Sequence, residues 1–405
     1  MTRLPPAYWR LWWAAGITNV GDGAFTSAVP LLAVSVTRDP RLISLVTAAA
    51  FVPWLLLALP AGAWADRHDR VRLMKGAQLA QAVVAGALAL TAAHGGIAVL
   101  IVAALALGAG DVVFGTASQA FLPDIVPKPL LPRANGSLQA ATTIGVQFAG
   151  PPLGSLLFAL APALPFGLDA VSFAGSAALI PTPPGRSHRT KPKAPIAEGL
   201  RWLARHRLLR TLTAVLGVNT FCGQLANATL VLLATQTLHV SPRGYGLLLA
   251  SAAVGSVTGG LVNARIVARI GPAAALITSL AVNAAVFAAI GLAPNALVLG
   301  GLLAVNGFVT TLWNIVNVSL RQSLVPAALL GRVTSVHKLL GWGLIPLGTL
   351  TGGLLAASSG LRAPYPVAGT LRGLALLVAL PVLLSARNIH RTGTEPPAPP
   401  AVSGT

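Results

Sequence analysis

Long apolar blocks separated by short polar gaps run the length of this 405-residue chain. Stretches such as "LISLVTAAAFVPWLLLALPAGAWA" exceed the ~18 apolar residues a helix needs to cross a bilayer. They lack the apolar–polar alternation of barrel strands, so the pattern predicts helices. Twelve spans are expected near residues 11–36, 42–65, 73–94, 97–121, 134–160, 164–182, 211–238, 244–268, 272–293, 295–320, 333–358 and 368–387. The expected class is therefore an all-α membrane protein. Pro30, Pro53 and Pro152 fall inside spans and predict kinks.

The longest polar gap is "PTPPGRSHRTKPKAPIAEGLRWLARHRLLR". It divides the chain into a six-helix bundle over 1–182, a linker over 183–210, a second bundle over 211–390 and a tail over 391–405 expected to be disordered. Ile196 to Arg210 reads as a basic amphipathic helix lying on the inner membrane surface. An internal repeat supports the division: Ala65 and Ala264, Arg70 and Arg269, Pro127 and Pro326, and Arg133 and Arg332 are each 199 residues apart. The repeat predicts two pseudo-symmetric halves of like orientation, an architecture that commonly houses a substrate site between its halves.

Composition strengthens this reading. The chain is 55% hydrophobic and only 9% charged, too little charge to clothe a soluble fold. The net charge of +19 falls mainly in alternate loops, at Arg67, Arg70, Arg72 and Lys75, at Lys128 and Arg133, through Arg186 to Arg210, and onward at Arg265, Arg269, Arg321, Arg332, Lys338, Arg387 and Arg391. That alternation puts both termini in the cytoplasm of a bacterial inner membrane. Nucleic acid would require the basic residues on one face, so it is not an expected partner. The single Cys222 reads as a packing residue, the first apolar run as a resident helix, and no ATP-binding, metal-ligand or other enzyme signature occurs. No cofactor is expected.

Specific motifs narrow the class. "GAWADRHDRVRLM" resembles the signature loop of major facilitator superfamily transporters through Gly62, Asp66, Arg67 and Arg70. Asp69 stands in place of the second glycine, and Val71 in place of a basic residue. "GVQFAGPPLGSLLF" resembles the antiporter motif through Gly150, Pro151 and Gly154, with Ser155 where the last glycine belongs. "NVGDGAF", "LPDIVP", "LDAVSFAGSA" and "EGLRWLARHRLLR" are similar to the branch that contains macrolide-efflux proteins and enterobactin exporters. The span-four arginine of many drug:proton antiporters is absent, so a coupling scheme built on it does not carry over.

The resemblance implies that Asp66 lies near the start of span eleven, where a helix N-terminus favours a carboxylate and Thr334 and Ser335 are candidate caps. Arg70 would tie Asp66 to Asp124, making a gating latch from Gly62, Asp66, Arg67, Arg70 and Asp124; the alternative is a solvated, topogenic loop. The resemblance further implies that spans one, four, seven and ten line a central cavity.

Two carboxylates fall within those spans. Asp22 lies about 17 Å along span one, at a depth where a charge costs at least ~2.5 kcal/mol. Asn19 and Thr26 share its face, and Asp111 is similarly deep in span four with Gln119 nearby. A desolvated carboxyl suits reversible protonation, so Asp22 and Asp111 are the proton-coupling candidates. The competing reading makes them fixed acceptors for Asn19 or Gln119. Asp169 reads as a cap at the outer end of span six. The second half of the cavity is expected to be uncharged, offering Asn219, Gln224, Asn227, Asn306, Thr310, Trp313, Asn314 and Asn317.

The expected function is secondary export of a small amphiphilic compound, drug-like or siderophore, in exchange for protons, by a monomer embedded in lipid. A proton-coupled importer and a non-transporting receptor or scaffold are the alternatives.

Overall fold

A computed structural model describes residues 4–92, 94–181 and 196–392. The proline-rich part of the linker and the tail lie outside the described residues. The described chain is helical: α1 (Pro6–Val36), α2 (Pro40–Arg67), α3 (Arg70–Thr91), α4 (Ile97–Ile125), α5 (Leu131–Thr142), α6 (Gly150–Leu160), α7 (Leu164–Leu179), α8 (Ile196–Arg205), α9 (Arg207–Leu232), α10 (Pro242–Ile270), α11 (Pro272–Gly291), α12 (Ala296–Leu324), α13 (Ala327–Gly343), α14 (Ile345–Ser359) and α15 (Pro364–Thr392). The segments α5–α6 and α13–α14 each make one bent crossing. Among the described residues ten spans are long and apolar enough to cross a membrane, α7 is a shorter apolar helix, and the 31-residue α1 carries Arg10 and Asp22 along its length.

Local chemistry sets the ends and breaks. Asp69 caps α3, its carboxylate accepting from the Arg72 N–H at 3.0 Å. The residue that departs from the signature pattern thus satisfies a free helix donor. The bend expected at Pro152 takes the form of a π-helical segment over Thr143–Ala149, immediately before Pro151 and Pro152. A widened turn relieves the clash between a proline ring and the preceding carbonyls. A second π segment, Leu233–Thr237, ends α9.

The packing repeats. α1 packs on α6 and α7, α2 on α4, and α3 on α4 and α7; likewise α9 packs on α14 and α15, α10 on α12, and α11 on α12 and α15. The two sets meet where α2 packs on α14 and α6 on α10. Large apolar side chains point outward, with Leu90 86%, Leu297 87% and Val378 80% exposed. Such a surface suits lipid and not water. This is an all-α membrane protein whose two sets of helices repeat one packing pattern.

Two expectations change here. The linker helix ends at Arg205 and not Arg210, because His206 caps α9 by accepting from the Leu209 N–H at 3.3 Å. Leu203 of this helix is buried against the protein in a cluster with Leu209, Leu212, Val333 and Val336, so its apolar side is taken up by α9 and α13. Thr334 and Ser335 do not cap span eleven, which begins a full two turns earlier at Ala327. The basic loop before it is wound into the helix.

Candidate functional site

Three carboxyl groups gather in the first half, on α1, α4 and α7. Asp22 and Asp111 are partly buried and Asp169 is fully buried. They lie near enough for Asp22 to feel both others electrostatically and for Asp169 to feel Asp111. The Asp169 finding corrects the expectation of an outer cap. α7 begins at Leu164, so Asp169 sits inside it, against α1. Gly21 permits this approach: a Cβ there would collide with the Asp169 carboxyl and the Ser172 hydroxyl. Ser172 Oγ donates to the Asp169 carbonyl at 2.8 Å, with the carboxylate at 3.4 Å.

The expected partners of the two deep acids are also corrected. Asp111 accepts from the Gln81 Nε2 of α3 at 2.7 Å, not from Gln119, which is exposed. The same amide nitrogen donates to the Leu107 carbonyl at 3.1 Å. Asn19 donates to Thr142 at 3.2 Å and so ties α1 to α5; Thr26 is exposed and bonds the Asp22 carbonyl at 2.8 Å. Among the described residues no side chain hydrogen-bonds the Asp22 carboxyl. A single-chain reading finds Asp22 and Asp111 by depth alone, but Gln81 and Asp169 become neighbours only through packing.

The second half holds a cavity of about 260 Å³ between α9, α11, α12 and α15. Asn219, Gln224, Asn227, Asn306, Thr310, Trp313 and Asn314 line it as expected, and Asn283 of α11 joins them. Asn317 does not: it is buried away from the cavity. Asn283 Nδ2 donates to Asn306 at 2.9 Å and to Thr310 at 3.2 Å.

The expectation of an uncharged second half is wrong, because Arg372 of α15 lines the same cavity. It is only 6% exposed. Its Nη2 donates to the Asn219 carbonyl at 2.7 Å, and its guanidinium carbon lies 3.8 Å from the Phe287 ring centroid. The sequence carries a weaker signal: a lone arginine stands inside the apolar run "TLRGLALLVALPVLL", about one turn into the expected span.

The signature loop and the span-five motif assume defined geometry. Arg70 Nη1 pairs with Asp124 at 2.6 Å and donates to the Ala120 carbonyl at 3.0 Å, while Nε donates to the Ala65 carbonyl at 3.3 Å. Arg67 is exposed, Gly62 has open space around it, and the Asp66 side chain lies outside the described residues. Gly150 packs on Gly23, where a Cβ would run into α1 backbone, and Gly154 abuts Ala24 and Ser27. Pro151 is buried at the first turn of α6. The buried Ser155, in place of the motif's last glycine, faces Gly246 of α10. The small residue has moved to the opposite helix.

These features accord with known proteins. A family model described as transmembrane secretion effector matches residues 5–398. The multidrug efflux pump Tap of Mycolicibacterium fortuitum is 29% identical over 392 residues, covering 92% of each chain. Among solved structures, a bacterial homologue of the iron transporter ferroportin, in an inward-facing state, gives a TM-score of 0.71 at 19% identity, over 94% of this chain and 100% of that one. A bacterial homologue of the human lysosomal transporter Spinster, also inward-facing, gives 0.71 at 15% identity, over 97% and 98%. At such identities these likenesses concern the fold.

Proposed function

This chain belongs to the transmembrane secretion effector family of major facilitator transporters, and from that premise we propose that it exports a small amphiphilic compound by proton antiport. The observation that carries the proposal is the grouping of Asp22, Asp111 and Asp169 on the packed helices α1, α4 and α7, with no ion pair to any of them among the described residues. Charges of one sign repel strongly in a low-dielectric site, and a bound proton relieves that repulsion. The cluster is therefore chemically suited to take up and release protons as its access to water changes. Asp22, with no hydrogen-bond partner of its own, is the member best placed to titrate without dismantling a helix contact.

Transport would proceed by rocking of the two six-helix halves, 1–182 and 211–390, about the α2–α14 and α6–α10 seams. The Arg70–Asp124 pair supports the latch reading of the signature loop: it holds the α2–α3 turn to the end of α4 as one rigid unit. In this reading both termini are cytoplasmic, the protein works as a monomer in a bacterial inner membrane, and the likeness to the multidrug efflux pump Tap supports the outward direction.

The test uses inside-out vesicles with an acid interior set by respiration and an internal pH dye. Addition of an exported amphiphile should collapse the gradient with the wild type and not with Asp22→Asn. Equal responses from the two would reject Asp22 as the coupling group, and the absence of any response across a broad amphiphile panel would reject the antiporter.

A further inference from the structure

We propose that the cavity between α9, α11, α12 and α15 receives a carboxylate borne on an apolar ring body, with Arg372 as its counter-charge. The proposal rests on the transporter reading above and gives the substrate class of the same pathway.

Arg372 is a fixed cation: a guanidinium is not deprotonated in proteins, and a charge at this depth is costly. Yet among the described residues it makes no ion pair: its Nη2 donates to the Asn219 carbonyl, its guanidinium lies over the face of Phe287, and its Nε has no acceptor. The one ion pair among the described residues is Arg70–Asp124, elsewhere in the fold. The carboxyls of α1, α4 and α7 belong to the other half, and none lines this cavity.

A second donor points the same way. Trp313 lines the cavity, and its indole Nε1 is buried and has no acceptor. An unfilled buried donor is costly, so two on residues of one cavity call for acceptors supplied from outside the chain. A carboxylate brings two oxygens and one negative charge. It thereby matches two empty donors and one unneutralised cation, and guanidinium–carboxylate contacts are among the stronger hydrogen bonds. Leu216, Leu280 and Val309 supply apolar wall for the rest of the ligand. A volume of about 260 Å³ restricts that body to one or two fused rings. Positive charge here also disfavours the cationic amphiphiles that the acids of the first half, taken alone, would favour.

The experiment measures binding by calorimetry to the full chain in lipid nanodiscs, at neutral pH and without any gradient. The probes are 2-naphthoate and 2-naphthamide, which share a ring body and differ in head-group charge. The wild type should bind the carboxylate about tenfold or more tightly than the amide. Arg372→Gln should abolish that preference and Arg372→Lys retain part of it. Trp313→Phe, which keeps an aromatic ring while removing the indole donor, should weaken naphthoate binding severalfold. If Arg372→Gln does not yield monodisperse protein, the lysine and phenylalanine variants carry the test. Equal affinity for both probes, no binding of naphthoate, or a preference that survives Arg372→Gln would overturn the proposal. The last outcome would instead make Arg372 a fixed brace between α15 and α9. Naphthoate preference without gradient-coupled movement would leave this site standing and sink the antiporter; coupled movement of amphiphiles without naphthoate preference would do the reverse.

Discussion

The Gln81 side-chain amide donates to the Asp111 carboxylate at 2.7 Å, joining α3 to α4 within a group of three acids. One nitrogen serves both this carboxylate and the Leu107 carbonyl. The bond fixes Asp111 more firmly than Asp22 and divides the labour between them: one anchored carboxyl and one without a partner.

Gln81→Leu should remove that anchor and leave two acceptors unfilled. The expected cost is about 1–3 kcal/mol, read as a lowered unfolding temperature in detergent. Asp111→Asn, which can still accept from the amide, should cost less than Gln81→Leu. The opposite order would mean that the bond contributes nothing.

The Arg70–Asp124 pair should behave as a coupled unit. Arg70→Met and Asp124→Leu are each expected to destabilise by about 1–3 kcal/mol, less for the double variant than for their sum. A double-mutant cycle by thermal unfolding measures the coupling. Strict additivity would mean that the ion pair itself contributes nothing beyond the other contacts of the two residues.

Ser155 and Gly246 set how closely α6 and α10 approach, because a Cβ at Gly246 would collide with the serine side chain. Gly246→Val should therefore reduce transport and stability together, while Gly301→Ala, where nothing lies within 4 Å, should change neither. Transport by Gly246→Val at the wild-type rate would mean that this seam does not need close packing.

His206 makes the link between α8 and α9 sensitive to pH. Burial lowers its pKa from the ordinary 6.5, and its Nδ1 must be unprotonated to cap α9. A histidine whose folded pKa is depressed leaves stability intact above the unfolded value and loses it as pH falls below about 6.5. The wild type should lose about 0.5–1 kcal/mol of stability across that range relative to His206→Asn, which caps without titrating. Parallel pH–melting curves would dismiss the role.

Leu203 anchors the linker helix to the bundle. Leu203→Asp should release α8 from α9 and α13, detected as faster proteolysis between α8 and α9. An unchanged digestion pattern would mean that α8 is held by its other contacts.

Some of this was legible in the chain. Span lengths, the repeat and the class follow from apolar blocks about as long as a bilayer is thick, and a residue's neighbours have little say in that. Asp22 and Asp111 were legible for the same reason, since a deep charge is conspicuous in one dimension. Of the eleven expected cavity residues, the seven that line the cavity recur on single faces of α9 and α12, whereas Asn19, Thr26, Gln119 and Asn317 lie elsewhere. Arg372 is less conspicuous in one dimension, because it stands near the start of its apolar run and on α15, outside the spans one, four, seven and ten that the resemblance assigns to the cavity.

The sequence by itself determined that the chain is an all-helical membrane protein and that Asp22 and Asp111 stand within apolar helices, because hydropathy and helical period are properties of local composition. The tertiary structure alone decided the partners. It gave Asp111 to Gln81 and not Gln119, moved Asp169 from a cap to a place against Gly21, and turned Arg372 into the wall of a cavity built by α9, α11 and α12. Each of those outcomes depends on the rotation and close approach of helices far apart in the chain, which side-chain volume and glycine contacts fix only when the bundle is assembled.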